Sequence, residues 1–304
     1  MTDVLAFSVF GVEWQFIKPF IVIGLAFGGV YALSGVGLVV LYRATGVLNL
    51  AFGAVGAMGA LIAWQAINEW GWSEEPAYLA CVLFGGAVTL AYGLIFGPPL
   101  AGRDPLVKAT ATLGLALILL GTMSWIWSDK ARSMILPTST ENFMVSDILV
   151  NYTQVLGLAF GVVVTVGTVL FLQFTKLGTA MRGLANDREI TATLGVPVRR
   201  VEASAWLVSG LISGVAGLLL SNLVGLDAAT LTFLVISSLA AALIARLSSV
   251  VVTLVAGLVV GLATALATPI LSISEYRDMA PFVLATLALL WLSRKGHSIS
   301  GRAV

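Results

Sequence analysis

Charge is scarce in this chain. Sixteen Lys and Arg with fifteen Asp and Glu make 10% of 304 residues, against roughly 25% in water-soluble domains. That deficit argues against an ordinary soluble domain and against chemistry on a substrate met in water. Sulfur and imidazole are nearly absent: Cys81 is the single cysteine and His297 the single histidine. An intramolecular disulfide is excluded and a Cys/His metal cluster has no members, so Cys81 reads as a small buried side chain and His297 as a solvated one. No G-x-x-x-x-G-K-[ST] run occurs, so the chain cannot cradle ATP phosphates itself. HExxH, GxSxG and a paired intramembrane aspartate are likewise missing, which leaves no catalytic constellation for a hydrolase or protease. The net charge of +1 is dispersed over loops, without the basic, aromatic-interleaved stretch that nucleic acid would require. Nucleic acid is not an expected partner.

Apolar sequence fills the remainder: 59% of residues are hydrophobic and 32 are glycine. About nine runs approach the roughly 20 residues needed to cross about 30 Å of hydrocarbon as a helix. They are Ile17–Leu41, Leu50–Ile67, Ala77–Phe96, Leu106–Trp127, Thr153–Phe174, Ala203–Leu223, Leu231–Ile244, Val250–Ala267 and Ala280–Leu292. The expected fold is all-α: one polytopic transmembrane bundle of about 8–9 spans over residues 1–304. Met1 to Gln15 carries Asp3 and Glu13 and no basic stretch, so a cleaved secretory signal is not expected. Ionisable groups fall at the ends of the runs, where they cost little, rather than inside them as in a proton or sodium relay. Uphill transport would therefore draw its energy from another subunit.

Basic residues near span ends stay on the cytoplasmic side. With the N-terminus outside and the C-terminus in the cytoplasm, Arg43, Arg103, Lys108, Lys176, Arg182, Arg188, Arg199, Arg200, Arg246, Arg294, Lys295 and Arg302 lie inside, 12 of the 16 basic residues. Lys18, Lys130, Arg132 and Arg277 fall outside. In that orientation Trp70, Trp72, Trp125, Trp127 and Tyr152 form an outer aromatic belt. The Ser128–Tyr152 loop, with Asp129, Glu141 and Asp147, and the Glu69, Glu74 and Glu75 cluster offer acidic outer patches.

The longest inner stretch, Lys176–Glu202, has the pattern of two short helices. Thr179 can cap a first one that groups Met181, Leu184 and Ala185 on a face. Asp187 can cap a second, which Gly195 and Pro197 stop. Such a unit suits either docking into a peripheral protein, oriented by Arg182, Arg188 and Glu189, or lying on the bilayer surface. Earlier in the chain, Thr45-Gly46-Val47-Leu48-Asn49 interrupts an apolar run. Asn49 can cap the next helix, so that helix can begin below the membrane surface with unpaired amides facing a polar solute; an ordinary turn is the alternative. Gly24 with Gly28, Gly210 with Gly214, and Gly257 with Gly261 have the four-residue spacing that permits close helix contact. Ser213, Ser237, Ser238 and Thr264 sit within spans, where hydroxyls mostly bond their own helix.

Two segments carry a resemblance. Gly178-Thr-Ala-Met-Arg-Gly-Leu-Ala-Asn-Asp-Arg-Glu-Ile-Thr-Ala-Thr-Leu-Gly-Val is similar to the cytoplasmic coupling segment of the branched-chain amino acid permeases of ABC importers. Tyr31-Ala-Leu with Gly37-Leu-Val-Val-Leu-Tyr-Arg-Ala-Thr-Gly-Val-Leu-Asn-Leu-Ala-Phe-Gly and Gly59-Ala resembles the first two spans of that family, of the LivH/LivM type and closer to LivH. Phe52 departs from the pattern, since the family commonly has histidine there. The resemblance implies a permease domain that moves a small polar solute, most simply a branched-chain amino acid, with urea or a short amide as the alternative. It implies an inner-membrane location and four kinds of contact: a homologous or identical second permease subunit, two peripheral ATPase subunits, an external solute-binding protein and the lipid bilayer. No cofactor is expected in this chain; ATP and magnesium belong to the ATPases. It implies ATPase coupling through Gly178, Met181, Arg182, Leu184, Ala185, Asp187, Arg188, Glu189, Leu194 and Gly195, and a solute pathway near Tyr31, Gly46, Asn49, Phe52 and Gly53. A stand-alone channel shares the composition but needs no docking unit.

The basic asymmetry makes a direct prediction. Cysteines introduced into Ser128–Tyr152 should react with an impermeant thiol reagent added outside, and cysteines beside Arg188 should not; the reverse pattern would invert the topology.

Overall fold

Amides in hydrocarbon have no water to bond, so apolar runs of this length fold as helices that pair every N–H internally. The computed structural model describes residues 8–9, 12–128, 130, 132–134, 136, 138, 141–145, 148–270 and 274–300, with side chains between Phe16 and Trp291 except those of Val145 and Asp278. Asp3, Asp129, Asp147 and Arg302 lie outside the described residues, as do the side chains of Glu13, Arg294, Lys295 and His297.

A hairpin of β1 (Ser8–Val9) and β2 (Val12–Glu13) precedes α1 (Trp14–Thr45), α2 (Phe52–Asn68), α3 (Glu74–Leu100) and α4 (Pro105–Trp127). A second antiparallel hairpin, β3 (Asn142–Val145) with β4 (Ile148–Asn151), leads into α5 (Tyr152–Phe174). Then come α6 (Lys176–Asn186), α7 (Arg188–Thr193), α8 (Val198–Val224), α9 (Ala228–Phe233), α10 (Val235–Ile244) and α11 (Val250–Ala267). A 3-10 turn, Ser274–Met279, precedes α12 (Ala280–Ser300).

Among the described residues six helices are long and apolar enough to cross a membrane: α1, α3, α4, α5, α8 and α11. The other apolar helices, α2, α9 with α10, and the Ala280–Trp291 part of α12, are shorter. All nine expected runs fall on helices, and the seventh is split at Leu234. Local chemistry sets the ends. Asp104 caps α4 by accepting from Leu106 N at 2.8 Å, with Pro105 in the first turn, where its missing N–H costs nothing. Asn151 and Gln154 form a reciprocal capping box at the start of α5.

The centre of the bundle is α1, which packs against α5, α8, α10 and α11, while α8 also packs on α2 and α3. Glycine makes these approaches possible. A Cβ on Gly28 would lie 2.7 Å from Leu258 Cα of α11, and one on Gly257 would lie 2.6 Å from Ala32 N of α1. The same holds between α3 and α8, where a Cβ on Gly214 would meet Val82 Cα at 2.7 Å. Beside that contact Thr89 Oγ1 donates to Trp206 O at 2.8 Å, a bond across the helix pair. Opposed small residues thus bring backbones together in the absence of a water-driven force. The outer layer is different: Leu94 and Ile95 of α3, Leu117 and Ile118 of α4, and Val163 of α5 are exposed, as suits surface that meets lipid or another subunit.

One end of the bundle carries Arg43, Lys108, α6, α7 and Arg246, and is called the basic face below. The opposite face is marked by Arg132, which pairs backbone with Leu226 and lies 4.8 Å from the centre of the Trp64 ring. Trp70, Trp72, Trp125 and Tyr152 are exposed there as a belt requires, but Trp127 is buried in the core and does not belong to it.

Overpacking a seam costs about 1–3 kcal/mol. Gly28→Val should therefore lower the thermal stability of the detergent-purified protein and its yield, whereas Gly97→Ala, which faces open space, should leave both unchanged. Equal stability of the two variants would show that the seam does not hold the bundle.

Candidate functional site

Between α1 and α2 the chain leaves helical geometry inside the protein. Gly46 takes φ +67°, a conformation that glycine adopts without strain, and α1 stops there. The following segment is buried, with Asn49 1% and Ala51 0% exposed. Non-helical backbone at this depth is tolerable only where its polar groups find partners in the protein. Several do. Thr45 Oγ1 accepts from Val47 N at 3.1 Å, Asn49 Oδ1 accepts from Ala51 N at 3.1 Å, and Thr112 Oγ1 of α4 accepts from Leu50 N at 3.1 Å. Asn49 was expected to cap α2; instead Ala51 occupies the cap position without a side-chain bond, and Asn49 folds back onto the Ala51 amide. Its Nδ2 is buried with no hydrogen-bond partner.

The start of α2 borders a small internal cavity of about 10 Å³, lined by Phe52, Gly53, Gly56, Ser34, Ser213 and Ser238 among others. Ser213 Oγ donates to Phe52 O at 2.6 Å, which ties α8 to the first turn of α2. Ser238 Oγ is fully buried and has no partner. The expectation that span hydroxyls bond their own helix holds for Thr264, which donates to Val260 O at 2.9 Å, but not for Ser213.

A much larger cavity, about 690 Å³, opens on the face opposite the basic one. Its walls include Phe20, Phe27 and Tyr31 of α1, Phe233 of α9, Leu234 and Ser237, with Thr264, Thr268 and Arg277 adding polar groups. Leu234, where α9 gives way to α10, lines this vestibule, and Val235 lines the inner cavity. Ser237 and Ser238 likewise face the two cavities from adjacent positions. The split helix therefore separates a wide vestibule from a narrow space at the start of α2 that three serines and otherwise mainly apolar residues line. Of the pathway residues named from the sequence, Tyr31 lies in the vestibule, Phe52 and Gly53 in the inner cavity, and Gly46 and Asn49 in the break itself. The vestibule has no sequence motif, because its residues come from seven separate elements, from α1 to α12.

On the basic face the Lys176–Glu202 stretch is the expected helix, corner, helix. The first cap differs: Thr175 accepts from Gly178 N at 2.9 Å, so α6 starts three residues before Thr179. Thr179 instead bonds back to Thr175 O at 3.0 Å and accepts from Arg182. Asp187 caps α7, accepting from Ile190 N at 2.9 Å. Gly195, at φ +83°, ends that unit, and Pro197 precedes α8.

The expected apolar docking face on Met181 and Leu184 needs correction. Both are buried in the protein's own core with Tyr92, Trp206 and Val36, so this stripe fastens α6 to the bundle. Gly178 joins that contact, since a Cβ there would meet Leu172 Cα at 2.5 Å. Ala185 and residues 187–190 are exposed instead, with Ile190 and Leu194 as large apolar side chains at 60% and 78% exposure. Arg188 Nη2 pairs with Glu202 Oε1 of α8 at 2.8 Å, and Glu189 stays exposed. Periodicity found the apolar stripe but could not tell whether it faced inward. Lys108 and Thr112 had no motif to mark them, although a lysine at the edge of an apolar run was a visible irregularity. Among the described residues no group of three or more His, Cys, Asp or Glu could hold a metal ion.

A family model for the permease component of branched-chain amino acid transport systems matches residues 20–290. The chain is 26% identical over 283 residues to the high-affinity branched-chain amino acid transport system permease protein BraD of Pseudomonas aeruginosa, covering 88% of this chain and 91% of that protein. Against LivH of Escherichia coli K12, a permease protein of the same kind of system, identity is 25% with the same two coverages. A probable LivH of Methanocaldococcus jannaschii is 27% identical over 71% of this chain and 70% of its own length.

Removing the Asp187 cap should cost about 0.5–2 kcal/mol of local stability. Asp187→Ala should speed hydrogen exchange of the α7 amides while those of α8 stay protected; unchanged α7 exchange would mean that the cap does not hold the helix.

Proposed function

The chain belongs to the permease family of branched-chain amino acid transport systems, and on that premise we propose that it is a membrane-spanning subunit of an ATP-driven importer for branched-chain amino acids. The observation that carries this reading is the division of labour between the two ends of the bundle. A solute-sized vestibule opens on one face, and an exposed two-helix unit, fixed to the bundle by its inner stripe, projects from the other. A stand-alone channel has use for the first and none for the second.

The vestibule suits the solute class. Its aromatic and aliphatic walls match a branched apolar side chain, while the hydroxyls of Thr230, Ser237, Thr264 and Thr268 offer partners to a polar head group. Further in, the start of α2 supplies first-turn amides and the positive end of a helix dipole, which favour a carboxylate. Phe52 adds an apolar ring to the same inner cavity, consistent with an apolar side chain and less so with urea. In this reading solute passes from the vestibule, past the split at Leu234, to the α2 start.

The energy comes from partners. Two peripheral ATPases, which hold ATP and magnesium, would dock on α7 and its flanks, meeting Ala185, Arg188, Glu189, Ile190 and Leu194. An external binding protein would deliver solute at the vestibule, and a second permease subunit, homologous or identical, would complete the route. The basic face is then cytoplasmic, with the N-terminus outside and the C-terminus inside, in accord with the retention of basic residues on that side. Closure of the ATPases would move α6 and α7, and through the buried Met181 and Leu184 contacts the bundle would tilt between outward and inward access.

Leu194→Asp provides the test. A charge desolvated at a docking interface without a partner should weaken ATPase association by about tenfold or more, with uptake falling in step and membrane expression unchanged, because Leu194 is 78% exposed. Full ATPase association and uptake in this variant would remove the docking reading and favour the channel.

A further inference from the structure

We propose that Lys108 and Thr112, one turn apart on α4, position the break between α1 and α2 and carry the movement of α7 to it. The proposal rests on the importer reading and deepens it by naming the connection between the ATPase side and the solute pathway.

Thr112 is fully buried, and its hydroxyl bonds the backbone of the break. Oγ1 accepts from Leu50 N at 3.1 Å and lies 2.9 Å from Leu48 O and 2.8 Å from Ala109 O. A hydroxyl has one proton, so Thr112 donates either to Leu48 of the break or to Ala109 of its own helix. The two acceptors are at nearly equal distance. The bond to the break is therefore releasable: the rotor can turn back to α4 without leaving its proton unpaired in a dry interior.

Lys108 holds the other end of the same segment. It is 8% exposed, and its Nζ lies 3.5 Å from Thr45 O at the C-terminus of α1, where the helix dipole favours a cation. It also lies within electrostatic range of Arg188 and Glu202. Glu202 is held by Arg188 at 2.8 Å, and Arg188 is the first residue of α7. Displacing α7 draws Arg188 from Glu202, and the carboxylate is left with Lys108, and more weakly Arg199, as the cations that act on it. The ammonium then moves from Thr45 toward Glu202, which loosens the end of α1 at Gly46. Because α4 packs on both α2 and α9, the same shift reaches the start of α2 and the split helix between the two cavities.

The experiment uses the assembled complex in proteoliposomes with its binding protein and radiolabelled leucine. Thr112→Val keeps shape and removes the hydroxyl; Thr112→Ser restores it; Lys108→Met keeps the stem and removes the charge. Thr112→Val and Lys108→Met should retain ATPase association and ATP hydrolysis within about twofold, yet move leucine about tenfold more slowly, as expected for a buried backbone left unpaired in one state of the cycle. More ATP should be consumed per leucine, and Thr112→Ser should return both quantities toward the unaltered complex. ATP-driven uptake that Thr112→Val leaves intact would overturn the relay, as would joint loss of ATPase association and uptake that Thr112→Ser does not rescue. Leucine uptake that needs no ATP in the unaltered complex would instead overturn the importer reading itself.

Discussion

Backbone contact along α1 is the constraint on which the remaining structure depends. In hydrocarbon no water-driven force pulls helices together, so dispersion at close range and a few interhelical hydrogen bonds must hold them. The Gly24 and Gly28 side of α1 lies against Gly257 and Gly261 of α11, and Gly29 meets Gly157 and Gly161 of α5. Two glycine faces on one helix let neighbours approach it from different sides. With α1 fixed in this way, its end at Gly46 is also fixed, and every feature of the proposed pathway is referred to that end.

The interrupted backbone follows from the same solvent. A stretch of non-helical chain at this depth has to borrow partners, and it borrows them from α4 through Thr112, from its own Thr45 and Asn49, and from α8 through the Ser213 bond to Phe52. These are side-chain bonds, each removable by one rotamer change, unlike the internal ladder of a helix. The segment is thus stable enough to form and cheap to rearrange, which is what the proposed gate beside the solute pathway requires. The split at Leu234 is the matching feature on the other wall, and the apolar vestibule ends where the two approach.

The spans were readable from sequence because the 20-residue requirement is one-dimensional: among the described residues six of the nine runs fall on helices long and apolar enough to cross, and the other three fall on shorter apolar helices. Helix ends were less so. Thr179 looked like a cap because it precedes the amphipathic pattern, yet Thr175 at the α5 exit had the better geometry and started α6 early. The inward direction of Met181 and Leu184 depends on Tyr92 and Trp206, which come from α3 and α8; no spacing rule within the segment can reveal a contact made by distant chain. Trp127 misled for the same reason, since a tryptophan at a span end is equally at home in a belt or a core. The break was visible as Thr-Gly-Val-Leu-Asn, but its partners on α4 lie more than sixty residues away.

Burial of the Met181 and Leu184 stripe strengthens the functional argument it corrects. A docking helix attached only by flexible ends would absorb a push in its linkers, and nothing would reach the membrane. Here one face of α6 is embedded in the core cluster that also contains Val36, Val39 and Val40 of α1, while α7, turned outward by its Asp187 cap, is left for a partner. Close-packed interiors transmit displacement because they have little free volume to take it up. A force applied to α7 therefore passes through α6 into the C-terminal third of α1, and through the Arg188–Glu202 pair into the start of α8. Those two helices line both cavities. In the proposed importer, rigid attachment on the inside and exposure on the outside are both needed for peripheral energy to alter access within the bundle, and the two short helices would divide those tasks between them.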